Sequence, residues 1–72
     1  MTPKDIGERI KALRKLKNLS QKDFAFACGF DRTYLSRVES GKQNLTISTL
    51  IIICGKLGVS LKEFFDFEDS TN

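Results

Sequence analysis

Apolar residues recur at helical spacing along most of the chain. Ile6, Ile10 and Leu13 lie at i, i+4 and i+7, so they share one face and predict an amphipathic first helix over residues 4–17. Thr2 is placed to cap this helix. No period-two alternation of apolar and polar residues occurs in the sequence, which argues against strands. The pattern therefore predicts an all-α protein.

Two short helices are predicted next, separated by a glycine. Ser20 is placed to cap a helix that begins at Gln21 and ends near Gly29, where glycine adopts a positive φ at low cost. Asp31 is placed to cap a third helix over about residues 32–40. These features predict two helices that cross steeply over a short turn.

The last part of the chain predicts two further helices. Thr46 or Ser48 caps a fourth helix over about residues 47–57, and a capping box at Ser60 opens a short fifth helix. The fourth helix has an inner apolar stripe formed by Leu50, Ile53, Cys54 and Leu57. We therefore predict a compact five-helix fold.

Length and charge refine this picture. A chain of 72 residues makes one small domain with a thin core, which we place at residues 1–67, followed by a flexible acidic tail at residues 68–72. Residues 1–62 contain 12 basic and 5 acidic residues, a balance of +7, whereas residues 63–72 contain 4 acidic and no basic residues. A basic body favours a polyanionic partner, nucleic acid before membrane, although simple solubility would also explain it.

The composition argues against several functions. The chain has no histidine, and Cys28 and Cys54 lie among apolar neighbours, so we expect no metal site and no cofactor. Both cysteines are interpreted as reduced core residues, with a disulfide between distant helices as the alternative. We expect no enzyme, because no catalytic set can be assembled, and no small-molecule ligand.

The sequence also indicates a cytoplasmic protein. An apolar run such as residues 50–54 is much too short to span a bilayer, and no leader marks the chain for export. Binding to a membrane surface is disfavoured because the basic residues are scattered.

The predicted third helix has a polar outer face. At about 100° per residue, Leu35 and Val38 point into the protein. The opposite face carries hydroxyl and arginine side chains and no acid: Thr33, Ser36, Arg37 and Ser40, with Arg32 at the edge. Such a face suits the reading of base edges in a DNA major groove, whereas the alternative is an ordinary helical hairpin with a solvated face. The loop at residues 42–45 is sited to reach sugar-phosphate, or is an ordinary polar turn.

Several motifs in order resemble the phage-repressor/Cro-type (Xre-like) helix-turn-helix DNA-binding domain. They are Arg14 followed by SQKDFA, then Gly29, DRTYLSRVESGK, NLTISTL and KLGVSLKEFF, and the likeness covers roughly residues 6–65, which is nearly the whole chain. Within that family the segment DRTYLSRVESGKQNLTISTL is most similar to the controller proteins of restriction-modification systems, which are homodimeric regulators of their own operon. Asp31 departs from the small hydroxyl residue usual at the cap, and Leu45 stands where many relatives have proline.

The resemblance implies roles for individual residues. The residues expected to contact bases are Arg32, Thr33, Ser36 and Arg37. The residues expected to contact phosphates are Gln21, Tyr34, Lys42, Gln43 and Asn44. Arg14 and Glu39 match a structural ion pair that ties the first helix to the third.

Spare apolar surface near the end of the chain predicts a homodimer. The residues expected at an isologous interface are Ile51, Ile52, Phe64 and Phe67, although they would alternatively complete the core. Two copies would read half-sites about one helical turn apart, ~34 Å. We therefore predict a sequence-specific, double-stranded DNA-binding transcriptional regulator on a pseudo-palindromic operator, acting on its own operon as the resemblance implies. The alternative is a protein-interaction module, such as an antitoxin or a transcription adaptor.

Overall fold

The protein folds into five α-helices within the part of the chain that the structure describes. The computed structural model describes residues 1–68, so the predicted acidic tail lies outside the described residues except for Glu68. Residues 1–68 contain no strand, and the predicted all-α, five-helix fold is confirmed. The helices are α1 (Pro3–Leu16), α2 (Gln21–Cys28), α3 (Arg32–Glu39), α4 (Ile47–Leu57) and α5 (Leu61–Phe64). None of these five helices is long and apolar enough to cross a membrane.

Capping boxes start the first and the last helix. The Thr2 hydroxyl accepts a hydrogen bond from the Asp5 N–H at 3.2 Å, and the Asp5 carboxylate accepts one from the Thr2 N–H at 2.9 Å. Ser60 and Glu63 form the same pair at α5, with distances of 3.0 Å and 2.9 Å. The hydrogen bonds with Ser60, first that of its backbone N–H, lower the pKa of the Glu63 carboxyl. These bonds satisfy N–H groups that would otherwise lack a partner at a helix start.

The starts of α3 and α4 refine the sequence prediction. Asp31 occupies the N-cap position of α3, but its side chain accepts no capping hydrogen bond. Thr46 caps α4 by accepting a hydrogen bond from the Thr49 N–H at 3.1 Å, and Ser48 lies inside the helix. At the end of α2, Gly29 has φ 75°, a conformation that glycine adopts without strain.

An apolar core fills the space between the helices. α1 and α2 each pack on α3 and α4, and α5 packs on α4. The fully buried large side chains are Ile10, Phe24, Leu35, Ile53, Leu57 and Phe64. Each contributes about 1.5–3 kcal/mol by leaving water. The position of Phe64 corrects the prediction that it lies at a dimer interface, because its ring is buried inside its own protomer.

Both cysteines are buried free thiols, as the interpretation of reduced core residues requires. Burial raises the pKa of the Cys28 and Cys54 thiols, and for Cys28 the nearby charge of Lys56 acts in the opposite direction. Neither thiol therefore ionises readily near neutral pH, so both behave as small apolar side chains.

α1 crosses the end of α3 with the two backbones in direct contact. A Cβ atom on Gly7 would lie 2.6 Å from the Glu39 carbonyl oxygen and still closer to that of Val38. Only glycine permits this approach, because any side chain would meet backbone atoms that cannot rotate away. Gly7 gives no signal in the pattern of its own helix, although it permits the close packing of α1 on the end of α3.

Arg9 fastens the short α5 to α1. Its Nε donates to the Phe64 carbonyl oxygen at 2.7 Å and its Nη2 donates to the Glu63 carbonyl oxygen at 2.8 Å. The guanidinium also lies 5.4 Å from the centre of the Phe67 ring. A helix of four residues has little stability of its own, so the contacts of Arg9 add to the burial of Phe64 in holding α5 in place.

Candidate nucleic-acid interface

The outer face of α3 forms an open, acid-free concavity. Leu35 and Val38 are buried beneath it, which turns the polar face of the helix to solvent. The concavity is lined by Gln21, Arg32, Thr33, Ser36 and Arg37. The structure thus brings together the four residues expected to contact bases, and all four are exposed. Arginine and hydroxyl side chains on an exposed helix face match the hydrogen-bonding edges of base pairs in a major groove.

The two arginines of this face differ in their contacts. The side chain of Arg32 has no hydrogen bond or ion pair with any other residue in the range 1–68. Arg37 Nε donates to the side-chain oxygen of Gln43 at 3.3 Å, and its Nη2 donates to the Lys42 carbonyl oxygen at 3.1 Å. Arg32 is therefore free to move, whereas Arg37 is attached to the loop that follows its helix.

That loop folds back against the end of α3. Gly41 has φ 78°, and its Cα faces the α1 backbone so closely that a Cβ would lie 2.6 Å from the Lys4 Cα. The Lys42 N–H then donates to the Arg37 carbonyl oxygen at 2.9 Å. This turn leaves Lys42 and Asn44 exposed and Gln43 half-buried beside the face that is expected to contact bases. The expected phosphate contacts of the loop therefore flank the expected base contacts.

A buried hydrogen-bonded network holds α1, α2 and α3 together beneath this face. Arg14 Nε and Nη2 donate to the two Glu39 carboxylate oxygens at 2.8 Å and 3.1 Å, and Arg14 Nη1 donates to the Leu19 carbonyl oxygen at 2.6 Å. Arg14 is 6% exposed and Glu39 is 4% exposed. The structure thus contains the ion pair that the resemblance implied, in the bidentate geometry that gives arginine its directional strength.

Gln21 joins this network from the first position of α2. Its side-chain Nε2 donates to Glu39 Oε1 at 2.9 Å, so the residue expected at a phosphate is also attached to the buried carboxylate. Tyr34 is half-buried on the side of α3 and packs edge-to-face on Phe30, with ring centres 5.2 Å apart. Both side chains are therefore partly immobilised before any ligand binds.

The surface of α4 and α5 is unusually apolar. Ile51 and Ile52 are 53% and 44% exposed, as expected for interface residues, whereas Phe67 is only half-exposed and lies under Arg9. The structure adds exposed apolar residues that the sequence analysis did not assign to an interface: Ile47, Leu61 and Phe65. Helical periodicity would have found Ile47, which lies four residues before Ile51. Residues 1–68 contain no cluster of His, Cys, Asp or Glu placed to hold a metal ion.

The chain belongs to the helix-turn-helix family, whose model matches residues 10–64. The family predicted from the sequence motifs is therefore confirmed. Among individual proteins, the chain is 45% identical over 60 residues to control protein C.MunI from Mycoplasma sp, a match that covers 82% of this chain and 81% of the relative.

Solved structures of controller proteins have the same fold. The restriction-modification controller protein C.AhdI from Aeromonas hydrophila has a TM-score of 0.83 and is 33% identical, over 88% of this chain and 96% of that one. The controller protein C.Esp1396I, solved as a tetramer with its natural 35 base-pair operator, has a TM-score of 0.82 and is 38% identical, over 89% of this chain and 84% of that one.

Proposed function

We propose that the protein is a sequence-specific, double-stranded DNA-binding transcriptional regulator of the restriction-modification controller type. It acts as a homodimer on a pseudo-palindromic operator upstream of its own operon. The observation that carries this proposal is the acid-free concavity on α3, where two arginines and two hydroxyl residues converge. The similarity to C.MunI and to the operator-bound C.Esp1396I supports it.

The proposed contacts divide into two groups. The base contacts are Arg32, Thr33, Ser36 and Arg37, which read edges in the major groove. The phosphate contacts are Gln21, Tyr34, Lys42, Gln43 and Asn44, which fix the register of the protein on the duplex. Because the second group flanks the first, phosphate binding at the sides would set the depth to which α3 enters the groove.

The proposed dimer uses the exposed apolar surface of α4 and α5. Ile51 and Ile52 lie at its centre, and Phe67 lies at its edge. An isologous contact through this surface places two recognition helices on one side of the dimer, about 34 Å apart on successive major grooves. Occupancy of the operator then depends on protein concentration, because dimerisation precedes or accompanies binding.

The proposal also covers what the protein does not do. We propose that it has no catalytic activity and works in the cytoplasm of a bacterial cell, where its operator is accessible. Glu39 has the only buried carboxylate of the described helices. This carboxylate accepts hydrogen bonds from Arg14 and Gln21, so it is not available for proton transfer.

DNase footprinting on the DNA upstream of its own gene tests the function. With increasing protein, we expect two half-sites related by a two-fold axis to become protected together, and the affinity to fall linearly with salt on a logarithmic scale. Stoichiometric capture of a protein partner, with no salt-dependent binding to DNA, would instead favour the interaction-module alternative.

Replacing Arg37 and Lys42 separates base from phosphate contacts. Arg37→Ala should lower the discrimination between operator and random DNA by about 1–3 kcal/mol, the value of a bidentate base contact. Lys42→Ala should weaken binding to both DNAs alike and reduce the salt dependence by about one charge. Fluorescence anisotropy with both DNAs at several salt concentrations measures these effects. Equal losses on both DNAs for Arg37→Ala would contradict its assignment to a base.

Replacing Ile51 tests the dimer surface. Ile51→Glu should give a monomer by sedimentation, because two carboxylates would face each other across a two-fold axis in an apolar contact. Phe26→Glu is the matched control: Phe26 is 86% exposed on α2, so the same change there should leave the dimer intact. A dimeric Ile51→Glu variant would place the interface elsewhere.

A further inference from the structure

Arg37 uses one edge of its guanidinium within the protein and leaves the other free. The Nε and Nη2 atoms form the side edge, and this edge donates to Gln43 Oε1 at 3.3 Å and to the Lys42 carbonyl oxygen at 3.1 Å. The end edge, formed by Nη1 and the second N–H of Nη2, has no partner among residues 1–68. A guanidinium has five donors in a rigid plane, so fixing the side edge also fixes the direction of the end edge.

The backbone makes this arrangement stiffer. The Arg37 carbonyl oxygen accepts a hydrogen bond from the Lys42 N–H at 2.9 Å and another from the Ser40 hydroxyl at 3.1 Å. Arg37 and Lys42 are thus linked twice, once through the main chain and once through the arginine side chain. Gln43 follows directly and completes the contact to the side edge.

We propose that Gln43 is a positioning residue for base reading: its side-chain oxygen holds the side edge of Arg37, so that the end edge faces the groove. This inference rests on the proposed function. It gives the two arginines different roles, because the Arg37 side chain is oriented before DNA binds, whereas the Arg32 side chain must be ordered on binding. Gln43 therefore contributes to sequence preference without touching a base itself.

The same contact also orients the amide of Gln43. Arginine has donors only, so the amide atom that faces Arg37 is the oxygen, and the NH₂ group is left to face outward. An NH₂ group is the half of the amide that binds a phosphate oxygen. The Gln43 side chain therefore links a phosphate contact to the orientation of Arg37, the arginine proposed to read a base. A change at Gln43 should therefore alter both affinity and preference, through different halves of the amide.

Two substitutions at Gln43 test the role of the amide oxygen and the role of the NH₂ group separately. Gln43→Met keeps the length of the side chain but removes the acceptor for Arg37, so it should reduce the preference at the base pair that Arg37→Ala affects. The reduction should be about 2- to 12-fold, which corresponds to the usual cost of immobilising one long side chain. Gln43→Glu keeps an acceptor for Arg37 and adds a negative charge near the phosphates. It should weaken binding to every sequence while retaining the base preference.

The experiment measures affinities for the operator, for single-base variants of it and for random DNA, with thermal melting to confirm that each variant folds. Asn44→Ala is the matched control, because Asn44 is an exposed neighbour that makes no hydrogen bond to Arg37. It should weaken all sequences equally. In an Arg37→Ala background, Gln43→Met should cause no further loss of preference.

Two results overturn the inference while leaving the proposed function intact. One is that Gln43→Met loses the same affinity for operator as for random DNA. The other is that Gln43→Met lowers the base preference as much in the Arg37→Ala background as in the otherwise unmodified protein. Absence of salt-dependent DNA binding by the unmodified protein would instead reject the proposed function itself.

Discussion

Replacing Glu39 with alanine should cost about 3–5 kcal/mol of the free energy of unfolding. Glu39 accepts two hydrogen bonds from Arg14 and one from Gln21, and it is 4% exposed. Without it the Arg14 guanidinium remains buried with no counter-charge, which is more costly than the loss of the pair. A chain of 72 residues has a total stability of about 4–11 kcal/mol, so this loss is a large part of the total, and only at the lower end of the range should the variant be mostly unfolded at 25 °C.

Urea unfolding followed by circular dichroism measures this effect, and a double variant serves as its control. Arg14→Met with Glu39→Leu removes both charges and fills a similar volume, so it should be much less destabilised than Glu39→Ala. If the double variant were as unstable as the single one, lost packing rather than an uncompensated charge would be responsible.

Replacing Gly7 with alanine should lower the free energy of unfolding by about 3 kcal/mol, the upper end of the usual cost of overpacking. The added methyl group would meet the carbonyl oxygens of Val38 and Glu39, which are backbone atoms at the end of α3. α1 and α3 must then move apart, and the Arg14–Glu39 pair between them must stretch. DNA affinity should fall as well, because the loop after α3 also rests on α1.

Gly55→Ala is the matched control for this prediction. Gly55 lies inside α4, and apart from its chain neighbours and the backbone of its own helix, a Cβ there would have no heavy atom within 4 Å. The same substitution should therefore stabilise the protein by about 1 kcal/mol through helix propensity alone. Thermal melts of the two variants should shift in opposite directions. Similar shifts would show that the backbone around Gly7 moves to accommodate a methyl group at little cost in free energy.

The helices could be predicted from the sequence because the signals that determine them are local. The capping serine and threonine residues, the glycine that ends α2 and the apolar spacing all act within one or two turns. The outward direction of Thr33, Ser36 and Arg37 followed from the same periodicity, because Leu35 and Val38 had to be buried.

Features that depend on two elements at once could not be predicted in this way. Phe64 is the last residue of α5 and Phe65 is its C-cap, and only the packing of α5 on α4 decides that Phe64 is buried and Phe65 is exposed. Gly7 gives no signal in its own helix, because its significance comes from the end of α3. The Arg37–Gln43 contact likewise depends on the path of the loop between them.

The attachment of α5 by Arg9 means that the proposed subunit assembly and the proposed reading of DNA depend on different residues of this short chain. Arg9 holds the helix that borders the apolar α4–α5 surface, yet it has no hydrogen bond to α3 or to the loop that follows it. In the proposed dimer, a mutation at Arg9 should loosen the pairing of subunits while leaving α3 as it was. The strength of assembly and the choice of target sequence could thus diverge independently between relatives that share this architecture.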